Sequence, residues 1–312
     1  MVCTCILALV VCTCASGMFV SRLNHDPAVC SFDLVCVAEM ADSKSKRLAL
    51  WSSLRCLSTT MVMSFGIYGN VEVVNELYSG ADGLGPERRV KIPLPFPVED
   101  DMSFGEVKAL LEADYPTRDL VFLKDHAIAV SGKYDQLPEG FSHAFLIRNP
   151  EKTVSSGIKL TEKVGFTAEQ YAQMARLTGM KGFGFGNLVD LVDHLESWLG
   201  KPPVILDADD LQRDPEKMLR AFCQALDLPF RESLLKWDAI KDTEIPWHTS
   251  KSMLAIHRGN GAYENALKST GWVQSEPKPA DISGFPKVLL DIIEEARPFY
   301  EILHARRLKP DN

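Results

Sequence analysis

The feature that most limits the fold of this chain is the alternation of short apolar segments with amphipathic ones after residue 45. The apolar segments have the length of strands, and the stretches between them carry helix-capping signals. The predicted strands are Arg47–Trp51, Val71–Glu76, Asp119–Lys124, Ser142–Ile147 and Pro203–Leu206. Apolar strands separated by helices are typical of a parallel sheet that is covered on both faces. The sequence therefore predicts an α/β protein with three layers.

Helices are predicted between these strands, and the residues at the strand ends are candidates for a site. The predicted helices include Ser58–Phe65, Ser103–Tyr115, Asp214–Leu226 and Pro286–Arg307, with mostly helical structure over 151–198, whereas the Gly/Pro-rich stretch Tyr78–Pro97 predicts a loop. Sites in parallel sheets lie at the carboxyl ends of the strands. We therefore expect one crevice to contain Trp51, Glu76, Lys124 and Arg148.

Charge and cysteine usage exclude several classes of protein. The net charge of −8 argues against a nucleic-acid partner, which would require a basic face. Of the eight cysteines, only Cys56 and Cys223 lie beyond residue 40, so the body of the chain is expected to be reduced and cytoplasmic. The Cys-x-Cys pairs before residue 40 have no histidine at zinc-finger spacing nearby, and no metal site is predicted.

The first twenty residues carry no charge and are nearly all apolar, long enough in principle to span a membrane. They lack the basic start of a secretory signal, and Arg22 would place the following segment in the cytoplasm. A membrane anchor, a cleaved signal and a leader outside the fold all remain open. We favour the last, because ordinary soluble composition begins after Met40. The predicted organisation is a Cys-rich leader over 1–45 and one domain over 46–312.

A polar turn follows the first strand of this domain and leads into a helix. It reads Ser52-Ser53-Leu54-Arg55-Cys56-Leu57-Ser58-Thr59-Thr60. Backbone N–H groups and the helix dipole favour an anion at such a point. Arg55 adds a positive charge, and Ser58 and Thr59 add hydroxyl donors. The alternative interpretation is an ordinary helix capped by serine and threonine.

A second arginine ends a later strand. The segment reads Arg148-Asn149-Pro150-Glu151-Lys152-Thr153-Val154-Ser155-Ser156. Arg148 ends the strand and Ser156 projects from the following helix, so that both can reach one phosphate. The alternative is an arginine before a proline-started helix whose serines face solvent.

Together the two motifs resemble the cofactor-binding motifs of sulfotransferases that use 3′-phosphoadenosine 5′-phosphosulfate (PAPS). The first segment of this family usually reads Pro-Lys-Ser-Gly-Thr-Thr, and a sulfotransferase-like subgroup with Trp-Ser-x-Pro-Arg-Ser-x-Ser-Thr is more similar to this chain. The resemblance implies a P-loop-like fold and transfer of a sulfuryl group to a hydroxyl or amine of a small-molecule or carbohydrate acceptor. It implies cofactor contacts at Arg55, Cys56, Leu57, Ser58, Thr59, Arg148 and Ser156.

The chain departs from the family pattern at three positions of the first motif. Leu54 and Cys56 replace a proline and a serine, and Arg55 replaces a lysine. An arginine can clamp a phosphate with two hydrogen bonds, but it is a poor proton donor. The resemblance therefore implies an electrostatic role for Arg55 and leaves its action as an acid in doubt.

The same resemblance implies the catalytic residues. Lys124-Asp125-His126 occupies the place of the family's Lys-Thr-His-Leu-Pro, which implies His126 as the base and Lys124 as a stabiliser of developing charge. Glu76 is the second candidate base, and the remaining histidines are expected to be structural. Two other functions stay open: a non-catalytic nucleotide-binding protein of the same fold, and a nucleotide-dependent phosphotransferase. The absence of a Walker A sequence counts against the latter.

Overall fold

The computed structural model describes residues 12–14, 17–19, 45–89 and 97–310. The chain divides into two units, Met1–Lys44 and Ser45–Asn312. In the first unit, β1 (Cys12–Cys14) and β2 (Gly17–Phe19) pair antiparallel. Most of the apolar run over residues 1–20 lies outside the described residues, so its three interpretations stay predictions. No helix among the described residues is long and apolar enough to cross a membrane.

A five-stranded parallel sheet in the order β4-β5-β3-β6-β7 lies at the centre of the second unit. Its strands are β3 (Lys46–Ser52), β4 (Val71–Asn75), β5 (Leu120–His126), β6 (Ser142–Ile147) and β7 (Val204–Asp207). Alternate side chains of β3 enter different cores: Ala49 and Trp51 pack on one face, Leu48 and Leu50 on the other. The predicted α/β fold with a parallel sheet is confirmed.

Helices cover both faces of this sheet. They are α1 (Ser58–Phe65), α2 (Leu77–Gly83), α3 (Phe104–Glu112), α4 (Pro150–Glu162), α5 (Ala168–Leu177), α6 (Phe185–Leu199), α7 (Ala208–Arg213), α8 (Pro215–Ala225), α9 (Lys251–Asn260), α10 (Glu264–Lys268) and α11 (Lys287–Ala305). The core beneath α2–α6 and α11 is separate from the core beneath α1, α7, α8 and α10. Short 3-10 helices occur at Ala127–Val130, Tyr134–Gln136, Glu232–Leu235 and Asp242–Glu244.

The prediction of a loop from Tyr78 to Pro97 is wrong at its beginning, where α2 starts directly after β4. The N-terminus of α2 is capped from the neighbouring strand: the buried carboxylate of Asp125 accepts hydrogen bonds from the backbone N–H of Tyr78 at 2.7 Å and of Ser79 at 3.2 Å. A cap supplied by another strand leaves no local signal in the sequence. Residues 90–96 of the predicted loop lie outside the described residues.

Candidate active site

The carboxyl ends of four adjacent strands border one cavity of about 920 Å³. Glu76, Lys124 and Arg148 line it, as the sequence predicted. Trp51 does not, because its side chain is buried in the core, where its Nε1 donates to His143 Nδ1 at 3.0 Å. Burial lowers the pKa of His143 to about 4, so this histidine is a neutral part of the core.

The turn between β3 and α1 has a strained backbone at two positions. Arg55 has a φ of 62° and Leu57 a φ of 64°, in the left-handed region that side chains rarely adopt. Leu57 supplies no side-chain cap to α1, and the N–H groups of Ser58 and Thr59 find no acceptor among the described residues. The positive end of α1 is therefore open toward the cavity, which is lined by Leu57, Ser58 and Thr59.

Cys56 lies in the same turn, but its side chain is in the core and not in the cavity wall. Its side chain is fully buried, and Sγ lies 2.9 Å from Ser53 Oγ. Burial raises the pKa of the thiol to about 11, so Cys56 stays protonated. The thiol is not part of the cavity wall, which leaves only the backbone of Cys56 to fulfil the predicted cofactor contact.

The two predicted arginines and Ser156 meet at one side of the cavity. Arg55 Nε donates to Ser156 Oγ at 3.2 Å, and Arg55 Nη1 donates to the carbonyl oxygen of Ala262 at 3.3 Å. Arg148 Nη1 donates to the carbonyl oxygen of Arg55 at 3.2 Å, whereas Arg148 Nε is buried without a partner among the described residues. Burial lowers the pKa of Arg55, and the charge of Arg148 adds to this effect. A bound anion would offset the mutual repulsion of the two cations.

Glu76, Lys124 and His126 form a buried hydrogen-bonded cluster. Lys124 Nζ pairs with Glu76 Oε1, and His126 Nε2 lies 3.2 Å from the same oxygen and 3.3 Å from Lys124 Nζ. Because side chains alternate along a strand, Lys124 and His126 share a face while Asp125 points away. Burial favours the protonated acid of Glu76, but the Lys124 charge and hydrogen bonds from both His126 and His257 outweigh it. The pKa of Glu76 is therefore held well below its usual value.

Two residues that the sequence analysis did not identify complete this cluster. His257 Nε2 lies 2.8 Å from Glu76 Oε2, and the hydroxyl of Tyr263 donates to the same oxygen at 2.7 Å. His257 was expected to be structural, yet it lines the cavity. The two residues follow Glu76 by 181 and 187 positions, so no local pattern connects them to it. Since an ionised carboxylate can only accept, His257 carries its proton on Nε2.

Comparison with known proteins identifies the family. The sequence family described as "Sulfotransferase domain" matches residues 46–307, most of the chain. The chain belongs to the sulfotransferase family. It is 32% identical to branched-chain-amino-acid aminotransferase-like protein 2 of Arabidopsis thaliana and 30% identical to protein 1 of the same name. Each match extends over 264 residues and covers 82% of this chain but only 41% of the relative.

The sulfotransferase chain thus spans less than half the length of these plant relatives. Among solved structures, it is similar to the sulfotransferase domain from the curacin biosynthetic pathway. That comparison has a TM-score of 0.45 and 15% identity, and covers 81% of this chain and 98% of that domain.

Among the residues that the structure describes, no group of three or more His, Cys, Asp or Glu side chains could hold a metal ion.

Proposed function

We propose that this chain transfers the sulfuryl group of PAPS to a hydroxyl or amine of a small-molecule or carbohydrate acceptor. One observation carries the proposal: the open N-terminus of α1, the Arg55–Arg148 pair and the buried Glu76 cluster all border the same cavity. The first two are sites for anions, and the third holds groups that can move a proton. Family membership supports this class of reaction.

The residues of the cavity wall fit a nucleotide with phosphate groups at two positions. Arg148 and Ser156 would hold the 3′-phosphate, for which the unpartnered Nε of Arg148 is a free donor. Arg55, Ser58 and Thr59 would hold the 5′ group at the N-terminus of α1. When bound, PAPS supplies an activated sulfuryl group. The cavity volume of about 920 Å³ leaves room for an acceptor beside the nucleotide.

We assign the base to His126 rather than to Glu76. A carboxylate whose pKa lies well below its usual value is a weak base. In addition, each of the two carboxylate oxygens of Glu76 already accepts two hydrogen bonds. Since the ionised Glu76 can only accept, the proton of the neutral His126 ring belongs on Nε2, 3.2 Å from Glu76 Oε1. Its Nδ1 then holds the lone pair, 3.2 Å from the hydroxyl oxygen of Ser52. Lys124 would stabilise negative charge that grows during transfer.

The experiment that tests this function has two steps. Thermal unfolding is first followed with adenosine 3′,5′-bisphosphate, ATP and GTP, because a ligand at about one hundred times its Kd stabilises the folded state by about 2.7 kcal/mol. We expect stabilisation by the bisphosphate alone. Transfer of labelled sulfate from PAPS to pooled phenols, alcohols, amines and sugars is measured next, with the Arg148→Ala variant as control.

Each outcome of these two steps selects one function. Stabilisation by ATP or GTP but not by the bisphosphate would favour the phosphotransferase. Stabilisation by the bisphosphate without transfer to any acceptor would favour the non-catalytic nucleotide-binding protein. Transfer that is lost in Arg148→Ala supports the sulfotransferase.

We further propose that residues 1–45 are not needed for this activity and that the protein works in the cytoplasm. The sheet begins at Lys46, and the reduced, buried thiols of Cys56 and Cys223 suit a reducing compartment. A chain that starts at Met40 should bind adenosine 3′,5′-bisphosphate as tightly as the full chain. An insoluble product, or one that no longer binds, would show that the leader belongs to the fold.

A further inference from the structure

The hydroxyl of Tyr171 is a buried polar group without a hydrogen-bond partner. Tyr171 lies on α5 with a side chain that is 7% exposed, and its OH finds no donor or acceptor among the described residues. The great majority of buried side-chain polar atoms in proteins are hydrogen-bonded, so an exception calls for an explanation. The wall of the cavity contains two other such atoms, Arg148 Nε and His257 Nδ1. Three of the seven such atoms among the described residues thus belong to residues that line this cavity.

Packing fixes this hydroxyl beside the predicted phosphate site. A Cβ atom on Gly157 would overlap the Tyr171 oxygen, so the hydroxyl rests against the backbone of α4 next to Ser156. The ring packs edge-on against Phe183, with the ring centroids 5.6 Å apart, which limits its movement. Burial raises the pKa of Tyr171 and the nearby charge of Arg55 opposes this, so the phenol keeps its proton and remains a donor.

From this arrangement we infer that Tyr171 is a ligand of the nucleotide's 3′-phosphate, beside Arg148 and Ser156. The inference rests on the proposed function, because it assumes that this part of the cavity receives a phosphate. Three residues with hydrogen-bond donors line this cavity: Arg148 with its unpartnered Nε, Ser156 with its hydroxyl and Tyr171 with its hydroxyl. A phosphate group has enough acceptor oxygens to use all three. Tyr171 thereby contributes to the preference for a nucleotide that carries a 3′-phosphate.

The test compares two nucleotides and two tyrosine variants. Adenosine 3′,5′-bisphosphate and adenosine 5′-monophosphate differ only in the 3′-phosphate, so the ratio of their affinities reports contacts to that group. We expect Tyr171→Phe to weaken binding of the bisphosphate by roughly tenfold to one hundredfold, the effect of losing a hydrogen bond to a charged group. Its affinity for the monophosphate should equal that of the parent. Calorimetric titration measures both.

Tyr78→Phe is the matched control. Tyr78 is also buried, but its hydroxyl donates to the carbonyl oxygen of Gln136 and lies outside the cavity wall. Tyr78→Phe should lower the melting temperature and keep the affinity ratio of the parent. Tyr171→Phe should keep or raise the melting temperature of the free protein, because it removes a hydroxyl that has no partner.

The outcomes separate this inference from the proposed function. A parent protein that does not bind the bisphosphate refutes the function itself. A parent that binds it, together with a Tyr171→Phe variant of equal affinity ratio, refutes only the role of Tyr171. A clear loss of stability in Tyr171→Phe would also overturn the inference, since it would show that the hydroxyl already has a partner within the protein.

Discussion

Replacing Glu76 by glutamine should strongly lower the free energy of unfolding, although the two side chains have nearly the same shape. Glu76 is 3% exposed and Lys124 1% exposed, so the ion pair between them is removed from water. Glu76 also accepts hydrogen bonds from His126, His257 and Tyr263. Glutamine keeps one acceptor oxygen, but its amide nitrogen would face donors. The variant therefore leaves Lys124 as a buried charge without its counter-charge.

The size of the effect follows from the cost of removing one partner of a buried pair, about 3–5 kcal/mol. We expect the lower end, about 3 kcal/mol, because the amide oxygen of the introduced glutamine retains part of the hydrogen bonding. For a domain of this size each kcal/mol lowers the melting temperature by about 2–4 °C, so the fall should be roughly 6–12 °C. Urea unfolding at pH 7 measures the free energy directly.

The pH dependence supplies a second check with a definite sign. The folded-state pKa of Glu76 is held well below its usual value, so the stability that this group contributes is fully present above the pKa of the unfolded chain, about 4.3. It is lost as the pH falls from there toward the folded-state pKa. The difference in free energy of unfolding between the parent and Glu76→Gln should therefore be constant near neutral pH. It should become smaller below about pH 4.3.

A second variant decides whether the uncompensated charge is the cause. Adding Lys124→Met to Glu76→Gln removes the stranded cation, and the double variant should be more stable than the single one. A Glu76→Gln protein as stable as the parent at pH 7 would refute the reasoning. So would a double variant that is less stable than Glu76→Gln alone.

Three further predictions concern the donor site, the base and the core. Arg148→Ala should weaken binding of adenosine 3′,5′-bisphosphate by roughly tenfold to one hundredfold in calorimetric titration, with unchanged melting temperature; equal affinities would remove the 3′-phosphate assignment. His126→Ala should lower kcat by roughly 10²–10⁴-fold with little change in PAPS affinity; parental turnover would exclude this histidine as the base. Burial lowers the pKa of His143 to about 4, so the stability that its neutral ring contributes is lost as the pH falls from about 6.5 to 4. Over this range the free energy of unfolding should fall by about 3 kcal/mol more in the parent than in His143→Asn. Parallel stability profiles of the two proteins in urea would contradict this last prediction.

The parts of the fold that the sequence predicts are those with a local cause. The strands are visible because a central parallel strand such as β3 must be apolar on both faces. The capping boxes of α3 and α5 are visible because the cap residue and its partner are three positions apart. The start of α2 is invisible because its cap, Asp125, lies on another strand.

The same distinction separates the predicted from the missed residues of the site. Lys124 and His126 are recognisable because the short local sequence Lys124-Asp125-His126 resembles the family's Lys-Thr-His-Leu-Pro segment. His257 on α9 and Tyr263, which directly precedes α10, reach Glu76 from far along the chain, so only the tertiary structure identifies them. The proposed role of Tyr171 rests on a buried hydroxyl that has no hydrogen-bond partner among the described residues, and no sequence pattern indicates this.

The left-handed turn between β3 and α1 has a consequence for how tightly a ligand can be held. A turn that uses glycine at such positions is easy to form but samples many conformations when free. Here Arg55 and Leu57 adopt the positive φ instead, and the hydrogen bonds of Arg55 to Ser156 and Ala262 tie the turn to two walls of the cavity. The backbone is thus shaped during folding, and an arriving anion loses little affinity to the ordering of the loop.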